Sequence, residues 1–129
     1  MIKDKNVIVM DIDGTLCHEK KKDQSYLELK PKIDILDKLH EYRNKGFYVI
    51  LYTSRQMRTH EGNLGRINAE TAKVLFQWLE MNKIPYDEIY FGKPWCGSNG
   101  FYVDDKAIRP SEFSEKSYEE IMILLQVEK

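Results

Sequence analysis

Val7-Ile8-Val9-Met10-Asp11-Ile12-Asp13-Gly14-Thr15-Leu16 begins as an apolar, branched run and breaks off at two aspartates one residue apart. β-Branched side chains favour the pleated backbone, and Gly14 supplies a turn. The stretch therefore predicts a strand that delivers carboxylates to a tight loop. Its near-continuous apolar character, rather than alternation, is the pattern of a parallel strand buried on both faces. In open α/β sheets ligands occupy the crevice beyond the carboxyl ends of the strands, so acid at this strand's end stands where a substrate would bind.

Moving outward, Cys17 to Lys30 is polar, lacks a long periodic segment and is too short for an inserted domain. Pro31, a favoured first-turn residue, is expected to open a helix whose apolar stripe is Ile33, Ile35, Leu36, Leu39 and Tyr42, with Gly46 as its stop. Phe47 to Thr53 (FYVILYT) reads as a second strand, and it ends in Thr53, Ser54 and Arg55. Gln56 to Asn68 is expected to be a polar loop around Gly62 and Gly65, and Ala69 to Met81 a helix with Ala72, Leu75, Phe76 and Leu79 on one face. Pro85 lies just beyond its end.

Glu88 to Phe91 reads as a third strand followed by Gly92, Lys93 and Pro94, and Phe101 to Val103 as a fourth ending in Asp104 and Asp105. Ser117 and Glu120 have the spacing of a capping box for a last helix carrying Ile121, Leu124 and Leu125. The order is close to βαβαββα, which implies an α/β fold: one domain over residues 1–129 with a mostly parallel sheet and right-handed crossovers.

Composition agrees with a globular domain. The chain has 129 residues, enough for one core, with 42% apolar and 32% charged residues and a formal net charge of −1. That balance argues against a dedicated nucleic-acid or anionic-membrane binder, which carries a basic excess. The charged start, MIKDKNVIVMD, is neither a signal peptide nor a membrane span. Cys17 and Cys96 are the only cysteines, which fits a reducing, cytoplasmic setting. His18, His40 and His60 lack the spacing of a zinc site.

Carboxylates, hydroxyls and a lysine thus converge on one edge of the expected sheet. Clustered carboxylates repel unless a cation neutralises them, and Mg2+, a hard ion that takes oxygen ligands and leaves room for phosphate oxygens, is the natural one. Lys93, Thr53 and Ser54 would then face a phosphoryl group, as would the backbone N–H groups of Gly14 and Thr15. Asp11 is assigned as nucleophile, forming an aspartyl-phosphate, and Asp13 as general acid and base.

In order, Asp11 to Thr15 (DIDGT), Thr53 in VILYTSR, Lys93 in FGKPW and Asp104-Asp105 in YVDDKA resemble the four motifs of the haloacid dehalogenase superfamily. The resemblance implies a three-layer Rossmann-like core, Mg2+ dependence and an aspartyl-phosphate intermediate. It implies that Asp11 is nucleophile and metal ligand, and that Asp13 is acid/base and gives its main-chain carbonyl to the metal. It further implies that Thr53 and Lys93 bind phosphate, and that Asp104 is the second metal carboxylate with Asp105 supporting it. From Val7 to Phe113 the chain is also similar to small phosphatases associated with bacterial capsular polysaccharide biosynthesis, through LYTSRQM, YDEIYFGKPW and YVDDKAIRPSEF.

Neither Cys17 to Lys30 nor Gln56 to Asn68 could hold a sizeable cap, so the likeness is to the capless subgroup, with an open site that suits a bulky substrate or closure by a second copy of the chain. Specificity then falls to loops. Arg55, Arg58, His60 and Asn63 are expected to bind the part of the substrate away from the phosphate, with Trp95 packing on a sugar ring. The expected substrate is a sugar phosphate or related precursor of surface polysaccharide. Three alternatives stand beside this reading. A nucleic-acid end phosphatase lacks the supporting basic excess. A response-regulator receiver would carry its acidic pair first and its lysine last, the reverse of this order. For a phosphate-sensing module without turnover, no motif residue is missing.

Overall fold

The structure is a computed structural model and describes residues 6–127. The chain divides into two compact units, Met1–Trp95 and Cys96–Lys129.

In the first unit the sheet has three parallel strands in the order β1 (Val7–Met10), β2 (Tyr48–Tyr52), β3 (Glu88–Tyr90). Met10 pairs with Leu51, and Tyr52 with Tyr90, so all three strands finish level. Asp11, Thr53 and Lys93 consequently leave the same edge, and the backbone stitches them together: Thr53 N donates to Tyr90 O and Lys93 N to Thr53 O.

The crossover from β1 to β2 contains a single 3-10 turn (Tyr26–Glu28) and α1 (Ile33–Asn44). Pro31 stands two residues before α1, bridged to Cys17, rather than in its first turn. Ile35, Leu39 and Tyr42 form the buried face of α1, while Ile33 is exposed. The helix ends as expected at Gly46: with φ +92° it lets Phe47 N reach Tyr42 O and its own N–H reach Arg43 O, and Phe47 packs edge-on against Tyr42 at 4.8 Å.

Helical structure after β2 starts earlier than the sequence suggests. Asn63 Oδ1 accepts from Arg66 N, so the stretch expected to be loop as far as Asn68 is α2 (Leu64–Arg66), followed by a π-helical segment (Ile67–Thr71) and α3 (Ala72–Met81). Leu75, Trp78 and Leu79 are buried on α3, with the Trp78 indole N–H donating to Leu29 O at 2.8 Å. Phe76, expected on that face, is 44% exposed and meets Phe91 edge-on.

The second unit, over its described residues, contains α4 (Pro110–Glu115) and α5 (Tyr118–Val127). The Ser117 box forms in both directions: Ser117 N donates to Glu120 Oε1, and Glu120 N to Ser117 Oγ. Phe101–Val103, expected as a fourth strand, is exposed and belongs to none of the strands of the sheet. Three residues with strand propensity do not by themselves fix a strand, because that propensity depends on context. β1 is accordingly an edge strand, and Val9, expected to be buried, is 60% exposed. No helix among the described residues is long and apolar enough to cross a membrane.

Candidate active site

The turn after β1 winds tightly around Ile12, whose carbonyl accepts from the N–H groups of Thr15, Leu16 and Cys17. Gly14, at φ +87°, sends its own N–H to Cys17 O at 2.7 Å. The amides of Gly14 and Thr15, expected to face an anion, thus close the turn in this structure.

Asp11 is half-buried between two opposite partners. Thr15 Oγ1 donates to its Oδ2 at 3.2 Å, and Lys93 Nζ lies 3.7 Å from its Oδ1. Burial raises the Asp11 pKa, opposed by the Lys93 charge, the Ile12 amide and the Thr15 hydroxyl. Lys93 also lies over the ring of Tyr52, 6.0 Å from its centroid.

Asp13, two residues on, has a different environment. Arg55 Nε donates to its Oδ2 at 3.0 Å and Arg55 Nη2 to its Oδ1 at 2.8 Å, a planar two-bond clamp. The Arg55 side chain is 1% exposed and stacks on Tyr26, with Cζ 4.3 Å from the ring centroid. Cys17 lies 3.7 Å from Asp13 Oδ1, and its thiol, buried and beside this carboxylate, is pushed up to about 12. Such a thiol is inert at neutral pH.

Thr53 is buried, its hydroxyl accepting from Arg55 N at 3.0 Å, so one end of β2 sets both the threonine and the arginine. Ser54 is half-buried beside it. The loop residues proposed from sequence separate into three roles. Arg58 lies over the Trp95 ring at 5.5 Å, Asn63 caps α2, and Arg55 and His60 wall a cavity of about 450 Å3.

That cavity also holds Tyr26, Arg66, Glu70 and Thr71, none of which was singled out from sequence. Arg66 and Glu70, four apart on a helix, were a readable pair; Tyr26 lies in a segment without periodicity and gave no signal.

Asp104 and Asp105 belong to the second unit. Both are exposed, and Asp104 Oδ1 accepts from Lys106 N at 2.8 Å. Among the described residues no group of three or more His, Cys, Asp or Glu is placed to hold a metal ion.

No curated protein matches the chain. The chain is similar to a crystal structure of a structural-genomics target from Vibrio cholerae, at 45% identity over 97% of this chain and 100% of that one, with a TM-score of 0.92. The family profile of haloacid dehalogenase-like hydrolases matches residues 8–129, from β1 through α5. With the strand-end aspartates, threonine and lysine in the order described, the chain belongs to the haloacid dehalogenase-like hydrolases.

Proposed function

We propose that this hydrolase is an Mg2+-dependent phosphomonoesterase working through an aspartyl-phosphate on Asp11. The observation that carries the reading is the Asp11 carboxylate held between Lys93, 3.7 Å away, and the Thr15 hydroxyl at the end of β1. An aspartate so held is aimed and partly desolvated, and the lysine beside it can neutralise an incoming phosphoryl group.

The donors suit a hard cation. Asp11 offers a carboxylate whose charge is disfavoured by burial, and Asp13, with both carboxylate oxygens taken by Arg55, has its main-chain carbonyl to contribute. Asp104 is the further carboxylate in this proposal, with Asp105 supporting it. The ion would supply charge neutralisation on the phosphoryl oxygens.

In the first step an Asp11 oxygen attacks phosphorus, the bond to the leaving oxygen breaks, and that oxygen takes a proton from Asp13. In the second step Asp13 draws a proton from water as the water oxygen attacks the aspartyl-phosphate, releasing phosphate and restoring Asp11. Each Asp13 oxygen accepts one Arg55 N–H and keeps a second lone pair on which the transferred proton can sit. Thr53, Ser54 and Lys93 hold the phosphoryl oxygens, and the Gly14 and Thr15 amides join them only if the turn relaxes.

We read residues 1–129 as one domain, cytoplasmic and without a cap, acting on a sugar phosphate or related precursor of surface polysaccharide. The family match across both units supports the first point, and the likeness to capsule-associated phosphatases supports the substrate. A second copy of the chain closing the site is part of the same reading.

Phosphate release from an aryl phosphate, with and without Mg2+, tests the chemistry. Metal-dependent release that Asp11→Asn abolishes is the expected result. A folded protein that releases nothing with metal present overturns it.

A further inference from the structure

Beside the Asp13–Arg55 pair, the cavity walled by Tyr26, Arg55, His60, Arg66, Glu70 and Thr71 is built in a way the phosphoryl chemistry does not require. Arg55 is 4% exposed, and its Nη1 is buried with no hydrogen-bond partner. The other two nitrogens of the guanidinium, Nε and Nη2, are spent on Asp13. His60 Nε2 is buried too; it lies 3.4 Å from Glu70 Oε2 without hydrogen-bond geometry. A donor buried without an acceptor is costly, and Arg55 Nη1, which can only donate, marks a place where an acceptor is missing.

Two of the cavity's acceptor atoms already have donors. Glu70 Oε2 accepts from Arg66 Nη2, and Gln56 Oε1 takes the Thr71 hydroxyl. The cavity wall also carries two guanidinium groups, that of Arg55, whose Nη1 has no acceptor, and that of Arg66, whose side chain is 59% exposed. A hydroxyl would bring a donor of its own needing an acceptor. A carboxylate brings acceptors only, in the planar form that guanidinium groups match best.

We infer that this cavity is the subsite for the leaving-group end of the substrate and that it takes a carboxylate, so that the preferred substrate is a phosphomonoester of a hydroxy acid or sugar acid. The inference rests on the phosphomonoesterase reading. Through Arg55 it also links recognition to catalysis, because the guanidinium that meets the carboxylate is the one that clamps Asp13.

The test compares matched esters with and without a carboxylate: 6-phosphogluconate against glucose 6-phosphate, and 3-phosphoglycerate against glycerol 3-phosphate, with an aryl phosphate as the common reference. In at least one pair the acid has the higher kcat/KM by about tenfold or more, mainly through KM, as expected for a buried charge-assisted contact. Arg55→Lys and Arg66→Gln each bring that ratio close to unity; because the ratio is taken within one variant, any general loss of activity cancels. If Arg55→Lys does not fold, Arg66→Gln at its exposed position decides.

A wild-type ratio within about twofold in both pairs overturns the subsite and leaves the phosphatase standing. A large ratio that survives the folded variants overturns the subsite as well. No turnover of any ester, the aryl phosphate included, overturns the phosphatase reading and the subsite with it.

Discussion

Arg55 reaches across 42 residues of sequence to take both carboxylate oxygens of Asp13, at 3.0 and 2.8 Å. The guanidinium is almost wholly buried, whereas the Asp13 side chain is 24% exposed. Removing one partner of a buried pair strands the other charge, at about 3–5 kcal/mol when neither can rehydrate. Here the survivor of Arg55→Ala is the partly exposed Asp13, so a loss below that range, about 2–3 kcal/mol, is expected. Chemical denaturation of the variant beside wild type measures it; a loss below about 1 kcal/mol would place this pair with surface ion pairs.

Asp11 should cost the fold stability at neutral pH. Burial raises its pKa above the ordinary 3.8, the largest of the influences on it, although Lys93 works the other way. Because the folded chain keeps this proton to higher pH than the unfolded chain, stability falls as pH rises from the ordinary carboxylate value through the raised one, and the full cost is present above it. Asp11→Asn without added metal is therefore expected to raise Tm at neutral pH, and the difference to fade once both states are protonated. Mg2+ binding the folded state should raise the wild-type Tm and leave the variant's unchanged. A variant that melts lower than wild type at neutral pH contradicts the desolvation argument.

What could be read from sequence is what neighbouring residues specify. Val7 to Met10 before Asp11, Tyr48 to Tyr52 before Thr53, and Gly46 after α1 announce strand ends and a helix stop within a few residues of chain, and the structure has them. The helix start at Leu64 was hidden because Gly62 and Gly65 flank Asn63 and suggest a loop, while the capping bond depends on where the Arg66 amide comes to lie. Phe101–Val103 carries strand propensity, but a strand is a property of a pair. At the candidate site, Arg55 was legible as a polar residue at a strand end. Its engagement with Asp13 rather than with a ligand was not, since no local spacing encodes a contact made 42 residues away.

Lys83 marks a place where the chain is not optimised. It stands at φ +53° just past α3, where Ile84 N bonds to Leu79 O and Lys83 N to Glu80 O, the closure that Gly46 makes after α1. A side chain in this left-handed conformation costs about 1 kcal/mol that glycine avoids. Lys83→Gly should stabilise the fold by about 0.5–1 kcal/mol, and Gly46→Ala should destabilise it by about the same or more. Urea midpoints of the two variants, which move in opposite directions if the shared geometry is the cause, provide the check.

Trp78 joins the helical layer to the crossover after β1. Its ring is fully buried, and its indole N–H donates to Leu29 O at 2.8 Å across 49 residues. Two losses can be separated here. Trp78→Phe keeps most of the packing but leaves the buried Leu29 carbonyl without its donor, a cost of about 1–3 kcal/mol. Trp78→Ala adds the cavity left by the ring, for a total of about 3–5 kcal/mol. The crossover carries Tyr26, on which Arg55 stacks, so loosening Leu29 should also disturb the cavity beside Asp13. The expected pattern is a Trp78→Phe protein that still unfolds cooperatively, with Tm lowered and KM raised for the preferred substrate; an unchanged KM beside a lowered Tm would confine Leu29 to a role in stability.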